Sequence, residues 1–319
     1  MRFLALFLSF IVCGACAQDY PSKPIRLVIP YGPGSLADAV PRLIQPALEQ
    51  KLGQRIVIEH RPGAGGNVGT QAVVSAPPDG YTLVMSATNN LVINQFVFKD
   101  MKFDPLADLA PVSLIAEVPL ILQVHPTLPT TLKEFIEQAR ANPGKLNYGS
   151  PSTGTIPHLA MEIFARAANL KLAHVPFKGG APAVNALLAN DIQALLIGYA
   201  TTAGQVRAGQ VRPVAVASNT RLQALPNVPT FSEAGFPDLA AAVPSNWWGM
   251  AAPKGTPTAV VQRLAREIRD ALQVPETQAK YHDLGLTPVG STPQEFAAGL
   301  PEQAKKWQAI LRVLGPVTN

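Results

Sequence analysis

Twice in this chain a short apolar run ends in a turn of glycine, proline and small hydroxyl residues, and a helical pattern follows at once. The first turn is Pro30-Tyr31-Gly32-Pro33-Gly34-Ser35-Leu36-Ala37-Asp38, and the second is Ser150-Pro151-Ser152-Thr153-Gly154-Thr155. Such a turn leaves backbone N–H groups free beside the positive end of a helix dipole, a favourable place for negative charge. One turn of this kind can be no more than a tight connection, because glycine serves that purpose too. Two in one chain predict a cleft in which a small anion is held from both sides.

The surrounding pattern is an alternation of strands and helices. Ile25 to Ile29 reads as a strand, and Val40, Leu43, Ile44, Ala47 and Leu48 recur at helical spacing, with Asp38 at the N-cap and Gly53 as the stop. Strand Ile56 to Glu59, helix Asn67 to Ser75 and strand Thr82 to Ser86 continue it. A second series runs from strand Pro119 to Val124 and helix Leu132 to Ala141 through strand Leu146 to Gly149, helix His158 to Ala168 and strand His174 to Phe177. It ends with helix Ala181 to Ala189, strand Ile192 to Ile197, helix Thr201 to Ala208 and strand Pro213 to Ala217. This order predicts an α/β fold of two similar lobes, each a mostly parallel sheet covered on both faces. Trp247 to Ala252 reads as an apolar strand returning to the first lobe, before helix Thr258 to Leu272 with Thr256 as N-cap and Pro257 at its first position.

Several functions are disfavoured by the same residues. Arg2, the apolar run Phe3 to Val12 and Ala15-Cys16-Ala17 read as a secretory signal cleaved after Ala17, since a membrane-spanning helix needs about 20 apolar residues. Both cysteines, Cys13 and Cys16, fall inside that segment, so the mature chain is expected to hold no disulfide and no cysteine metal site. The net charge of +5 is spread without a run of Lys and Arg, which argues against nucleic acid. Gly63-Ala64-Gly65-Gly66-Asn67-Val68-Gly69 has Val68 where a dinucleotide fingerprint needs its third glycine, so it reads as a turn permitting close backbone approach. None of the five histidines sits in a metal-binding pattern, and neither metal nor cofactor is expected. His158 lies near enough to the second turn to act as base for Ser150 or Ser152, which makes a secreted serine hydrolase the competing reading, although no GxSxG elbow accompanies it.

Beyond these turns, a series of blocks resembles the Bug-type extracytoplasmic solute receptors, the substrate-binding components of tripartite tricarboxylate transporters. They are Pro30-Tyr31-Gly32-Pro33-Gly34 with Asp38 and Arg42, Glu59-His60-Arg61-Pro62-Gly63-Ala64-Gly65-Gly66-Asn67, and Pro77-Pro78-Asp79-Gly80-Tyr81-Thr82-Leu83. Pro143-Gly144-Lys145-Leu146-Asn147-Tyr148, Gly154-Thr155 with His158-Leu159, and Val175-Pro176-Phe177-Lys178-Gly179-Gly180-Ala181-Pro182-Ala183 follow in the same order.

The resemblance implies a periplasmic binding protein type II fold, with two α/β lobes around a ligand cleft joined by hinge strands. Lobe 1 would comprise residues 18–118 and 248–319, and lobe 2 residues 119–247. It further implies a non-catalytic, monomeric periplasmic receptor that captures a small organic acid and presents it to membrane transporter subunits. A receptor reporting to a sensor kinase has the same sequence signature. The ligand-binding positions implied are Tyr31, Gly34, Ser35, Leu36, Ala37 and Asp38 on one side, with Ser150, Ser152, Gly154, Thr155, His158, Phe177 and Gly198 on the other. Of the pair Trp247-Trp248 one residue is expected in the core and the other as a pocket wall, the latter assigned to Trp247. Relatives commonly carry glycine, serine and threonine where Ser35, Leu36 and Ala37 stand. The loss of hydroxyl donors points to an aromatic or otherwise apolar monocarboxylate in preference to a C4 dicarboxylate.

Overall fold

A computed structural model of the protein describes residues 20–237 and 246–315. The signal segment with both cysteines therefore lies outside the described residues. The first sheet contains β1 (Ile25–Ile29), β2 (Ile56–His60), β3 (Thr82–Ala87), β4 (Leu109–Glu117), β10 (Trp247–Pro253) and β11 (Thr287–Pro288), in the order β11-β4-β10-β3-β1-β2. The second contains β5 (Leu120–Val124), β6 (Asn147–Ser150), β7 (Ala173–Pro176), β8 (Ala194–Gly198) and β9 (Arg212–Ala217), in the order β7-β6-β8-β5-β9.

Helices cover both faces of each sheet. In the first lobe α1 (Leu36–Leu52) and α9 (Thr258–Leu272) pack on one face, while α2 (Asn67–Val74) and α11 (Pro293–Leu314) pack on the other. In the second lobe α5 (Leu132–Ala141) and α6 (Ile156–Ala167) lie opposite α7 (Gly180–Leu188) and α8 (Ala203–Arg207). The short α3 (Asn94–Val97) and α4 (Pro105–Asp108) lie between β3 and β4, and α10 (Pro275–Asp283) lies between α9 and β11. Residue parity along a strand selects the face: Leu27 and Ile29 join the cluster under α1, whereas Val28 joins the one under α2 and α11. Thr292 and Glu295 start α11 with a reciprocal capping box, as Thr131 and Glu134 do for α5.

The sheets are mixed, not mostly parallel. The pairs β1·β2, β1·β3, β6·β7 and β6·β8 are parallel, and the other five are antiparallel. The physical reason is the double crossing between lobes. β4 leaves the first lobe and β10 re-enters it beside β4, from Trp247↔Glu117 to Pro253↔Leu109, so the two run in opposite directions. The crossings are joined directly, with the Val118 N–H donating to the Asn246 carbonyl at 2.7 Å. A third link comes from the end of α11, where the Val313 carbonyl accepts from Arg166 of α6 at 2.6 Å. Among the described residues no helix is long and apolar enough to cross a membrane.

Candidate functional site

The first turn follows β1, and Gly34 takes a left-handed φ of +72° that turns the chain into α1. Ser35, not Asp38, is the N-cap, with φ −75° and ψ 164°. Asp38 occupies the third helical position and reaches back instead: its Oδ2 accepts the Gly34 N–H at 3.2 Å, and its Oδ1 accepts from Arg42 Nε at 2.8 Å and His60 Nε2 at 3.0 Å. Burial opposes the Asp38 charge, but the bonds from Gly34, His60 and Arg42 outweigh it and hold the carboxyl below its ordinary range. The N–H groups of Asp38 and Ala39 both go to the Ser35 carbonyl. The N–H groups of Ser35, Leu36 and Ala37 have no acceptor among the described residues, and the buried Ser35 Oγ has no partner either. Three consecutive N–H groups and a hydroxyl thus converge at the positive end of a 17-residue helix.

The second turn has the same ingredients and a different outcome. Gly154, at φ +76°, donates its N–H to His158 Nδ1 at 3.0 Å. Thr155 caps α6, but its N–H and hydroxyl both donate to the Ser152 carbonyl. The first helical N–H, that of Ile156, goes to Asn89 Oδ1 at 3.4 Å, and Pro157 has none to offer. Asn89 comes from the first lobe, just after β3, and its Nδ2 also donates to the Gly154 carbonyl at 3.0 Å. The N-terminus of α6 is therefore closed by a side chain of the protein, and the expectation of free helix N–H groups holds for the first turn only. Ser152 and Thr153, ahead of the cap, keep N–H groups without an acceptor among the described residues.

His158 does not serve Ser150 or Ser152. Its Nδ1 accepts from Gly154, so its proton is on Nε2, 4.0 Å from Glu162 Oε1. Ser150, fully buried, pairs with His174 Nε2 at 2.7 Å and donates its own proton to the Ser152 carbonyl. His174 accordingly donates to Ser150 instead of accepting its proton, the reverse of a nucleophile–base pair. The rings of Tyr148, His174 and His158 stack at 4.8 and 4.0 Å between centroids, and Tyr148 donates to Glu162. Burial pushes the His158 pKa down to about 4; burial and then the neighbouring His158 do the same for His174.

The remaining positions divide between the cleft and the core. Tyr31 spends its hydroxyl on Asn90 Oδ1 at 2.8 Å, while its ring meets Trp248 edge-on at 5.6 Å. Trp247 is a correction: it lies wholly in the core, its Nε1 bonded to Gln303 and its ring edge-on to Phe296 at 5.1 Å. Neighbouring strand residues face opposite sides, so Trp248 takes the face beneath α1, with its Nε1 buried and unpartnered. Pairing with Glu117 also puts Trp247 in the first sheet. Thr256 donates to the Pro253 carbonyl and Pro257 is the N-cap of α9, again unlike the sequence expectation. Phe177 is half-buried with Val175 and Leu188. Gly198, at the end of β8, faces the first turn: a methyl added there would meet Val118 Cγ1 at 2.7 Å and Leu36 Cδ2 at 3.3 Å.

Sequence reasoning missed Asn89, Asn90 and Asn94. The signal was present, as three asparagines interrupt the apolar run from Leu83 to Val97. Asn90 and Asn94 donate to the Gly65 carbonyl and so hold the glycine-rich turn against the first one. A Cβ at Gly66 would meet Asn90 Nδ2 at 2.2 Å, which is why that turn needs glycine. Among the described residues no group of three His, Cys, Asp or Glu side chains could hold a metal ion.

Comparison with known proteins places this arrangement. The family model described as tripartite tricarboxylate transporter family receptor matches residues 40–315. The UPF0065 protein in the tcbD-tcbE intergenic region of Pseudomonas sp. (strain P51) is 35% identical over 294 residues, covering 92% of this chain and 86% of that protein. Protein BugT of Bordetella pertussis is 32% identical over 307 residues, covering 96% and 93%. The solved structure of an R. palustris protein with adipate superposes with a TM-score of 0.88 at 31% identity, covering 93% of this chain and 99% of that one.

Proposed function

The chain belongs to the tripartite tricarboxylate transporter receptor family, and from that premise we propose that it captures a small organic carboxylate in the periplasm. Closure of the two lobes signals capture to the membrane transporter subunits. One observation carries the reading: the N–H groups of Ser35, Leu36 and Ala37 and the Ser35 hydroxyl stand unpartnered at the start of α1, opposite the second lobe. A carboxylate with four lone-pair sites matches those four donors.

In this reading residues 1–17 direct export and are removed after Ala17. The lobes are 18–118 with 248–319, and 119–247, with Trp247 transferred to the first. Gly34 and Asp38 shape the donor cradle, and Ser152 contributes from the other side. Gly154, Thr155 and His158 hold the second turn, while Tyr31, Phe177 and Gly198 border the cleft. The ligand leaves chemically unchanged, and Ser150 acts through its bond to His174, not as a nucleophile. A thermal-shift screen of organic acids tests this. An acid at 100 times its dissociation constant should stabilise the protein by about 2.7 kcal/mol; a screen in which no acid raises the melting temperature refutes the reading.

A further inference from the structure

The donors at the first turn suffice for one carboxylate, whereas the second turn keeps only the N–H groups of Ser152 and Thr153, ahead of a helix start whose cap and first N–H are already bonded. Asn89 Oδ1 already takes the first N–H of α6, Pro157 has none, and Thr155 bonds to Ser152. No Lys or Arg occurs in either turn, and Arg42 is engaged by Asp38. Next to the free donors the surface is apolar. The Leu36 side chain leaves the same helical turn, packs with Val118 over the bare Cα of Gly198, and joins the core cluster that includes Tyr31 and Trp248. A charge placed against Leu36 would find no counter-ion in either turn.

Resting on the reading of the site as a carboxylate receptor, we propose that Leu36 sets its specificity: the ligand carries a single carboxylate at the start of α1 and an apolar body against the partly exposed Leu36 and Tyr31. The ligand class thereby differs from the dicarboxylate in the adipate-bound neighbour. Leu36 makes the distinction by filling, with an aliphatic group, the space where a polar end would need donors.

Isothermal calorimetry on the mature protein, using benzoate, phenylacetate and 3-methylbutanoate against succinate and adipate, tests the inference. The best monocarboxylate should bind at least tenfold tighter than either dicarboxylate. Leu36→Ser should shrink that ratio about tenfold, and Leu36→Val, which stays apolar, should keep it. One-to-one binding of succinate or adipate tighter than all three monocarboxylates overturns the inference and leaves the receptor reading standing. A ratio unmoved by Leu36→Ser removes Leu36 as its determinant. Binding of none of the five, with a blank screen of other organic acids, overturns both.

Discussion

At the start of α1 the N-cap and the next two residues present N–H groups with no acceptor among the described residues, whereas at the start of α6 the corresponding groups are bonded to Ser152, bonded to Asn89 or absent at Pro157. Both turns use a left-handed glycine and a small hydroxyl residue at the cap. Their difference comes from which neighbours reach them. In the first turn the charged neighbour, Asp38, binds the residue before the cap and leaves the helix end open. In the second, an asparagine from the opposite lobe covers that end. The same local chemistry leaves a helix end open in one lobe and makes a contact between lobes in the other.

The largest test of this contrast is Ser35→Pro. Ser35 already has φ −75°, within the range of proline, so the exchange removes one N–H and one hydroxyl. Two hydrogen bonds to a charged group are worth at least about 3 kcal/mol, so carboxylate affinity by calorimetry should drop about a hundredfold. A drop of less than about tenfold would locate the anion elsewhere.

A smaller effect is expected from Asn89→Ala, which sharpens the contrast from the other side. Loss of this side chain leaves the Ile156 N–H and Gly154 carbonyl unpaired, at a cost of about 1–3 kcal/mol in urea-induced unfolding. Carboxylate affinity should change far less than in Ser35→Pro. Equal losses in the two variants would mean that the turns act alike.

A further test is a pH dependence of stability to which the second turn contributes. His158 and His174, both at about 4 against 6.5 in the unfolded chain, are neutral when folded. Above pH 6.5 neither state takes up a proton at these rings. As pH falls toward 4 the unfolded chain is protonated first, so stability declines across that window and levels off below it. The melting temperature should accordingly fall between pH 6.5 and 4. His158→Asn, whose side-chain oxygen can still accept from Gly154, should flatten part of that slope; an unchanged slope assigns it to other groups.

Strand and helix positions were largely legible because period and turn chemistry are local. β1, α5 and α9 have the bounds that periodicity gives, Ile25–Ile29, Leu132–Ala141 and Thr258–Leu272. β4 was not read, since its apolar residues are broken by Pro111 and Ser113 and its role depends on β10, which is far away in sequence. The caps of α1 and α9 were misplaced for a related reason. Asp38 and Thr256 are competent capping residues, but each found a different partner, Gly34 with Arg42 and His60 in one case and the Pro253 carbonyl in the other. The Trp247-Trp248 pair shows the limit most clearly: alternation says that the two rings part, and only the packing of α11 on one face says which is buried against Phe296.

By itself the sequence determined the family, the α/β lobes and the two places where a helix begins from a glycine turn, because these depend on residues near one another in the chain. Tertiary structure decided which helix end stayed open, that Asn89 crosses from one lobe to the other, and that Leu36 lies over Gly198. A hydrogen-bonding group is free or satisfied only with respect to everything that can reach it, and that set is fixed when the lobes come together.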